Sequence, residues 1–203
     1  MKAVSSIRRA AQIREIFWPI LGRLKEVDEF FDREFEHAQP MVRDVCTYVL
    51  RSGGKRLRPG LVLLISRMLS YTGERDIRYG AVVEMIHTAT LIHDDIIDQS
   101  DLRRGRPTAN AEFGNAPSVL VGDFLYTRAF QLMVQLGDMD ILEHMADTTN
   151  TIAAGEVLQL VRAGQAMTIM SPSPRWEIRI CRWNPSPKAS RRVTAVVPQM
   201  MPK

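Results

Sequence analysis

The amino-acid sequence predicts an all-α protein. Apolar residues recur at intervals of three and four along most of the chain, and the intervening turns contain glycine or proline. Up to residue 162, no sustained alternation of apolar and polar residues indicates a strand. With 45% hydrophobic and 25% charged residues in a length of 203, the composition is that of one globular domain with a real core.

The predicted helices follow one another with short breaks. In the first, the helical period continues to Phe35, and Pro19 is tolerated in the first turn. The second ends at Gly53-Gly54, because glycine commonly terminates a helix. A polar loop containing Pro107 follows the fourth helix. We expect helices at about residues 19–36, 41–51, 61–69, 77–99, 117–136 and 138–162, with the loop at 101–116.

The fourth helix carries a polar stripe on an otherwise apolar surface. At 100° per residue, four residues fall within about 80° of one another: His87, Thr90, Asp94 and Asp98. A helix that is apolar on its other faces lies inside a bundle, where two carboxylates one turn apart are costly and repel each other. Mg²⁺ compensates both effects, because it binds carboxylate oxygens and leaves positions for water and phosphate. The alternative is a solvated acidic helix end. Asp95 lies off the stripe, as a supporting or a surface group.

A basic loop precedes the third helix, with the sequence Gly53-Gly54-Lys55-Arg56-Leu57-Arg58-Pro59. No acidic residue occurs between Asp44 and Glu74, so an anion would meet a focused positive field there. Lys55 can act as a point charge and Arg58 as a bidentate donor to phosphate. The alternatives are a basic surface loop or a nucleic-acid patch, but the loop has no aromatic residues for base stacking.

The positive charge of the chain is concentrated in its last 41 residues. Residues 163–203 hold 7 Lys and Arg against 1 acidic residue and 6 of the 11 prolines, whereas residues 1–162 hold 20 basic and 22 acidic residues. We therefore expect an irregular tail rich in Pro and Arg at 163–203. No apolar run is long enough to span a membrane and no secretory signal is present, which predicts a cytoplasmic protein. Cys46 and Cys181 lack the spacing of a metal site.

Five segments in order resemble the trans-isoprenyl diphosphate synthases, the polyprenyl synthetase family, and are closest to its octaprenyl and other long-chain members. They are GGKRLRP, EMIHTATLIHDDIID, RRGRPT, VLVGDFLYTRAFQLM and GEVLQL, within about residues 10–162. The resemblance implies an antiparallel helical bundle of the isoprenoid-synthase type. It also implies a homodimer in the complete family member. The implied reaction condenses isopentenyl diphosphate head-to-tail with an allylic diphosphate, assisted by Mg²⁺, and no nucleic acid takes part.

The resemblance also implies roles for individual residues. Asp94 and Asp98 would bind the Mg²⁺ that holds the allylic diphosphate, with Asp95 in the same motif. Arg103 would contact the allylic diphosphate directly. Isopentenyl diphosphate would be bound by Lys55, Arg58, His87 and Arg104. A small residue five positions before Asp94, here Ala89, implies a long product, because a bulky side chain there closes the elongation cavity. Ala89 would otherwise be a helix former in tight packing.

The sequence departs from the family pattern after residue 162. The last aspartate is Asp147, so the second aspartate-rich motif of the family does not occur in this chain. We expect the chain alone to be poorly stable and inactive, with a tail that arises from a frameshift or, alternatively, is a genuine regulatory segment. Two other functions stay open. One is a non-catalytic regulatory subunit of a prenyl synthase. The other is a phosphohydrolase that uses His93-Asp94, although His37, His87 and His144 form no convincing ligand set.

Overall fold

A computed structural model of the chain describes residues 15–52 and 54–168, with side chains up to residue 162. The helical elements are a 3₁₀ turn at Trp18–Ile20, α1 (Leu21–Phe35), α2 (Pro40–Leu50), α3 (Leu57–Met68), α4 (Arg75–Ile97), α5 (Ala109–Phe113), α6 (Asn115–Leu136) and α7 (Met139–Thr168). The all-α prediction is confirmed. Helix α3 begins earlier than expected, because Pro59 fits its first turn.

A short β-hairpin corrects the expectation that the 101–116 loop contains no strand. Strand β1 (Leu102–Arg103) pairs antiparallel with β2 (Arg106–Pro107), with Arg103 opposite Arg106. Arg104 and Gly105 form the turn, and their φ angles are 55° and 78°. Positive φ at both central residues is the mark of a type I′ turn, whose twist suits a two-residue hairpin loop. Strands of two residues are too short to show an alternating pattern in the sequence.

Helix α4 is the central helix of the domain. It packs against α1, α3 and α6, and apolar residues on several of its faces are buried. Val82, Met85 and Ala89 have no exposed surface, and Ile92 is 1% exposed. Gly122 of α6 permits close packing beside α4, because a Cβ atom at this position would overlap the imidazole of His93. The prediction that the fourth helix lies inside a bundle is therefore confirmed.

Large apolar side chains on one face of α3 remain exposed. Leu61 and Ile65 are each 55% exposed, and Met68 is 81% exposed. These residues lie three and four positions apart, so they form a stripe along the helix. None of the helices in the described part of the chain is both long and apolar enough to cross a membrane.

The described residues divide into two units, one up to residue 153 and one from residue 154 onward. The first contains α1 to α6, the hairpin and the beginning of α7. The second contains the last part of α7, which continues to Thr168, beyond the predicted end at residue 162. Residues 163–168 of the irregular tail that the sequence predicts at 163–203 continue α7, and the rest of the predicted tail lies outside the described residues. Its proposed boundary and origin stay predictions.

Candidate functional site

A cavity of about 270 Å³ lies where the end of α2, the start of α3, the middle of α4 and the hairpin meet. The basic loop and the arginine hairpin, which are separated by some fifty residues of sequence, both face it. Among the residues that line it are Lys55, Arg58, His87, Asp95, Arg103 and Arg104, all of them predicted site residues. The structure therefore brings the two cationic segments to one place, as binding of a multiply charged anion requires.

The basic loop enters α3 through a left-handed residue. Arg56 is the N-cap of α3 with φ 47° and ψ 39°, and its carbonyl oxygen accepts a hydrogen bond of 2.9 Å from the N–H of Gly60. This conformation is uncommon for a residue with a side chain. Lys55 and Arg58, on either side of it, are exposed and line the cavity.

The hairpin is attached to α4 by an ion pair between Arg103 and Asp95. Nε of Arg103 lies 3.0 Å from each carboxylate oxygen of Asp95, and Nη2 lies 2.8 Å from Oδ1. Asp95 is only 5% exposed. The hydrogen bond with Asp95 raises the pKa of Arg103. Asp95 thus orients a cationic side chain of the site, which the sequence left undecided.

His87 is an uncharged imidazole among cations. Burial, and to a lesser extent the charges of the neighbouring Arg58, Arg104 and Arg103, together lower the pKa of His87 to about 4. At neutral pH the ring is neutral, so it can donate one hydrogen bond to a phosphate oxygen and accept another from a neighbour. An anion bound in this cavity would offset the repulsion among the positive charges of Arg58, Arg103 and Arg104.

Asp94 and Asp98 lie at the end of α4, apart from the residues that line the cavity. Asp94 is partly buried, whereas Asp98 is exposed and caps the helix, where its N–H donates to the carbonyl of Asp94 at 2.8 Å. No group of three or more His, Cys, Asp and Glu residues in the described ranges could hold a metal ion. Two carboxylates one turn apart, at the negative end of a helix dipole, nevertheless fit Mg²⁺, which takes its other ligands from water and phosphate.

His93 lies on a different face of α4 from the cavity. Its Nε2 atom is 3.3 Å from the carbonyl oxygen of Val119 and 3.5 Å from Oδ1 of Asp123, both on α6. Because the ring packs between the two helices beside Gly122, it serves the helix interface. The phosphohydrolase alternative, which needs His93 as a metal ligand, gains no support from this geometry.

Tyr48 holds the hairpin from α2, a role that the sequence does not reveal. Its hydroxyl group donates to the carbonyl oxygen of Pro107 at 2.8 Å, and Arg106 lies over its ring at 5.7 Å. The ring also makes an edge contact with Phe113, at 5.3 Å between centroids. A single tyrosine in an amphipathic helix carries no signal of this kind, because its partners are distant in sequence.

Ala89 on α4, the predicted determinant of product length, is fully buried in the hydrophobic core and does not line the cavity.

Relatives of this chain support an assignment to a family. Residues 39–173 match the family model described as Polyprenyl synthetase, which is more than half of the chain. The chain is 54% identical over 129 residues to octaprenyl diphosphate synthase of Haemophilus influenzae, covering 64% of this chain and 39% of that protein. It is 53% identical over 121 residues to octaprenyl diphosphate synthase of Escherichia coli, covering 60% of this chain and 38% of that one. The chain therefore spans less than half the length of these relatives.

Solved structures agree with the sequence comparisons. A decaprenyl diphosphate synthase from Rhodobacter capsulatus is 43% identical with a TM-score of 0.69, covering 73% of this chain and 46% of that one. A polyprenyl synthase from Caulobacter crescentus CB15, complexed with calcium and isoprenyl diphosphate, is 38% identical with a TM-score of 0.70, covering 74% and 46%. With its helical fold and its paired cationic segments, this chain belongs to the polyprenyl synthetase family.

Proposed function

We propose that this chain supplies the diphosphate-binding region of a prenyltransferase that adds isopentenyl diphosphate head-to-tail to an allylic diphosphate. The product would be a long-chain all-trans-polyprenyl diphosphate. The observation that carries the proposal is the convergence of Lys55, Arg58, His87 and Arg104 on one cavity, while the carboxylate pair lies at the end of the same helix, α4. One site binds a diphosphate through cations, and the other can do so through a divalent metal.

Isopentenyl diphosphate is assigned to the cationic cavity. Lys55 and Arg58 compensate its charge from the start of α3, and Arg104 does so from the hairpin turn. His87, neutral at physiological pH, donates a hydrogen bond without adding to the repulsion among the arginines. This arrangement needs no metal, because the guanidinium and ammonium groups already match the charge of the ligand.

The allylic diphosphate is assigned to Asp94 and Asp98 through Mg²⁺, with Arg103 beside it. When bound, the metal would neutralise the charge that develops on the departing diphosphate. Asp95 keeps Arg103 oriented toward the same region. The structure of the Caulobacter polyprenyl synthase with calcium and isoprenyl diphosphate supports the use of a divalent cation in this family.

A long product is consistent with Ala89 and with the relatives. Ala89 lies five residues before Asp94, about 7.5 Å along the helix, and its methyl group occupies little space. The similar proteins include octaprenyl and decaprenyl diphosphate synthases.

The 203-residue chain by itself is proposed to bind diphosphates without turning them over. No aspartate follows Asp147, so this chain has no second carboxylate motif to complete a metal site. The complete family member is proposed to be a homodimer.

A non-catalytic partner of a prenyl synthase is the second candidate. The exposed apolar stripe on α3, formed by Leu61, Ile65 and Met68, favours it, because such a surface is suited to contact with another protein. The assembled cationic cavity favours the first candidate, since a purely regulatory subunit does not need it.

Titration of isopentenyl diphosphate into the purified chain tests the proposed function. We expect Lys55→Gln and Arg58→Gln each to weaken binding by about tenfold, the loss that follows when one charge-assisted contact is removed. Arg75→Gln, at the opposite end of α4 and outside the cavity, is the matched control and should bind like the wild type. Absence of binding by the wild-type chain, or equal losses in the control, would contradict the proposal.

A further inference from the structure

Arg56 differs from its basic neighbours, because its charge is already compensated by the protein. Its side chain is 16% exposed. Nε lies 3.0 Å from Oδ1 of Asp28 on α1, and Nη1 lies 3.1 Å from Oε1 of Glu84 on α4. Nη2 donates to the carbonyl oxygen of Leu50, the last residue of α2, at 2.9 Å. The guanidinium group therefore connects the basic loop to three helices.

A ring contact completes this environment. The guanidinium carbon of Arg56 lies 5.5 Å from the centre of the Phe31 ring. A cation over an aromatic face is attracted to it, and the attraction is stronger where water is excluded. Arg56 is itself among the residues that line the cavity, but each of its three nitrogens already has a protein acceptor, so its charge is compensated before a further anion binds.

Glu84 makes this contact important for the cavity. It is 6% exposed, lines the cavity and lies one turn before His87 on α4. An unpaired buried carboxylate would be costly and would repel a diphosphate. The ion pair with Arg56 removes that repulsion and at the same time fixes the residue between Lys55 and Arg58.

We propose that Arg56 is a positioning residue, anchored by Glu84 and Asp28, which holds Lys55 and Arg58 in the geometry that binds diphosphate without itself touching the ligand. The left-handed backbone of Arg56 supports this role, because the chain must turn sharply there for both neighbours to line the cavity. The inference rests on the proposed function and assigns a role to a residue of the same site.

Substitution of Asp28 and Glu84 distinguishes a positioning role of Arg56 from an effect of net charge on binding. Asp28→Ala and Glu84→Leu both make the region more positive. If net charge alone determined affinity, both variants would bind isopentenyl diphosphate more tightly. Positioning predicts weaker binding in both variants, by about threefold for the half-exposed Asp28 and about tenfold for the buried Glu84. Asp32→Ala is the control, since Asp32 lies one turn further along α1 and pairs with the exposed Arg51 instead.

The experiment is calorimetric titration of isopentenyl diphosphate into the full chain at constant ionic strength, with circular dichroism to establish that each variant is folded. Arg56→Gln should lose about tenfold in affinity, whereas Arg51→Gln, a control of equal charge, should change it less than about twofold. If Glu84→Leu does not fold, Asp28→Ala decides, because Asp28 lies on the surface. Wild-type binding together with unchanged or tighter binding by Asp28→Ala would overturn this inference alone, whereas no binding by the wild type would overturn the proposed function with it.

Discussion

At the scale of single residues, His87 shows how the cavity is prepared for an anion. Three arginines face it, and its own burial disfavours a positive charge, so the pKa of its imidazole falls to about 4. The neutral ring therefore adds no further positive charge to the cavity beside Lys55. It can complete the hydrogen bonds of a diphosphate whose charge the cations compensate.

The lowered pKa makes stability depend on pH in a definite direction. In the unfolded chain the pKa of His87 is near 6.5, so the unfolded state binds a proton there as the pH falls below that value. In the folded state the same imidazole is protonated only near pH 4. Stability is therefore fully present above about pH 6.5 and is lost as the pH falls through this window. We expect the melting temperature of the wild type to fall more steeply between pH 7 and pH 5 than that of His87→Gln.

The control for this prediction is His144→Gln, which removes an exposed histidine on α7. Its melting temperature should follow the wild type across the same pH range. Parallel curves for the wild type and His87→Gln would contradict the assignment of a partly buried, neutral imidazole to the cavity.

The residue pattern alone predicts the cations of the site as residue types. Lys55, Arg56 and Arg58 stand together in one basic loop; the family resemblance implies roles for Lys55 and Arg58 and none for Arg56. Their difference arises from acids on other helices, since Asp28 and Glu84 select Arg56 as their partner. Such pairing depends on tertiary structure, which periodicity does not reveal. Asp95 illustrates the same limit, because its partner Arg103 lies beyond the helix end.

At the scale of elements, the helices were predictable because each carries several turns of periodic apolar residues. Helix α4 was expected at about 77–99 and is found at Arg75–Ile97. The hairpin at Leu102–Pro107 could not be predicted, since its signal is backbone conformation at Arg104 and Gly105 and not a pattern of side chains. Helix α3 begins at Leu57 and not near the expected residue 61, because Pro59 fits the first turn of a helix.

The position of Ala89 on α4 leads to a prediction about product length. In a full-length relative that carries residues 39–162 of this chain, Ala89→Phe should shorten the polyprenyl product, because a bulky side chain would close the space beyond the metal site. Ala129→Phe, an equal enlargement at a fully buried alanine of α6, controls for general core strain of about 1–3 kcal/mol. Chain-length analysis of the extracted products is the measurement. Unchanged product length in Ala89→Phe, or equal shortening in Ala129→Phe, would assign Ala89 to packing alone.

At the scale of the whole molecule, α4 connects the two proposed diphosphate sites. Its middle contributes His87 to the cationic cavity, and its last turns contribute Asp94 and Asp98. Because the helix is buried in the core of the domain, it fixes the direction from one site to the other. The chain spans less than half of the length of the curated relatives that it matches.

Dependence of binding on metal tests the central claim most directly, namely that one diphosphate is held by cations and the other through Mg²⁺. Calorimetric titrations of isopentenyl diphosphate and of farnesyl diphosphate into the full chain would be compared with Mg²⁺ and with a chelator. We expect isopentenyl diphosphate to bind equally under both conditions. Farnesyl diphosphate should lose at least about tenfold in affinity with the chelator, a loss that Asp94→Asn with Asp98→Asn should reproduce in the presence of Mg²⁺. The same metal dependence for both ligands, or no effect of the two substitutions, would contradict the account.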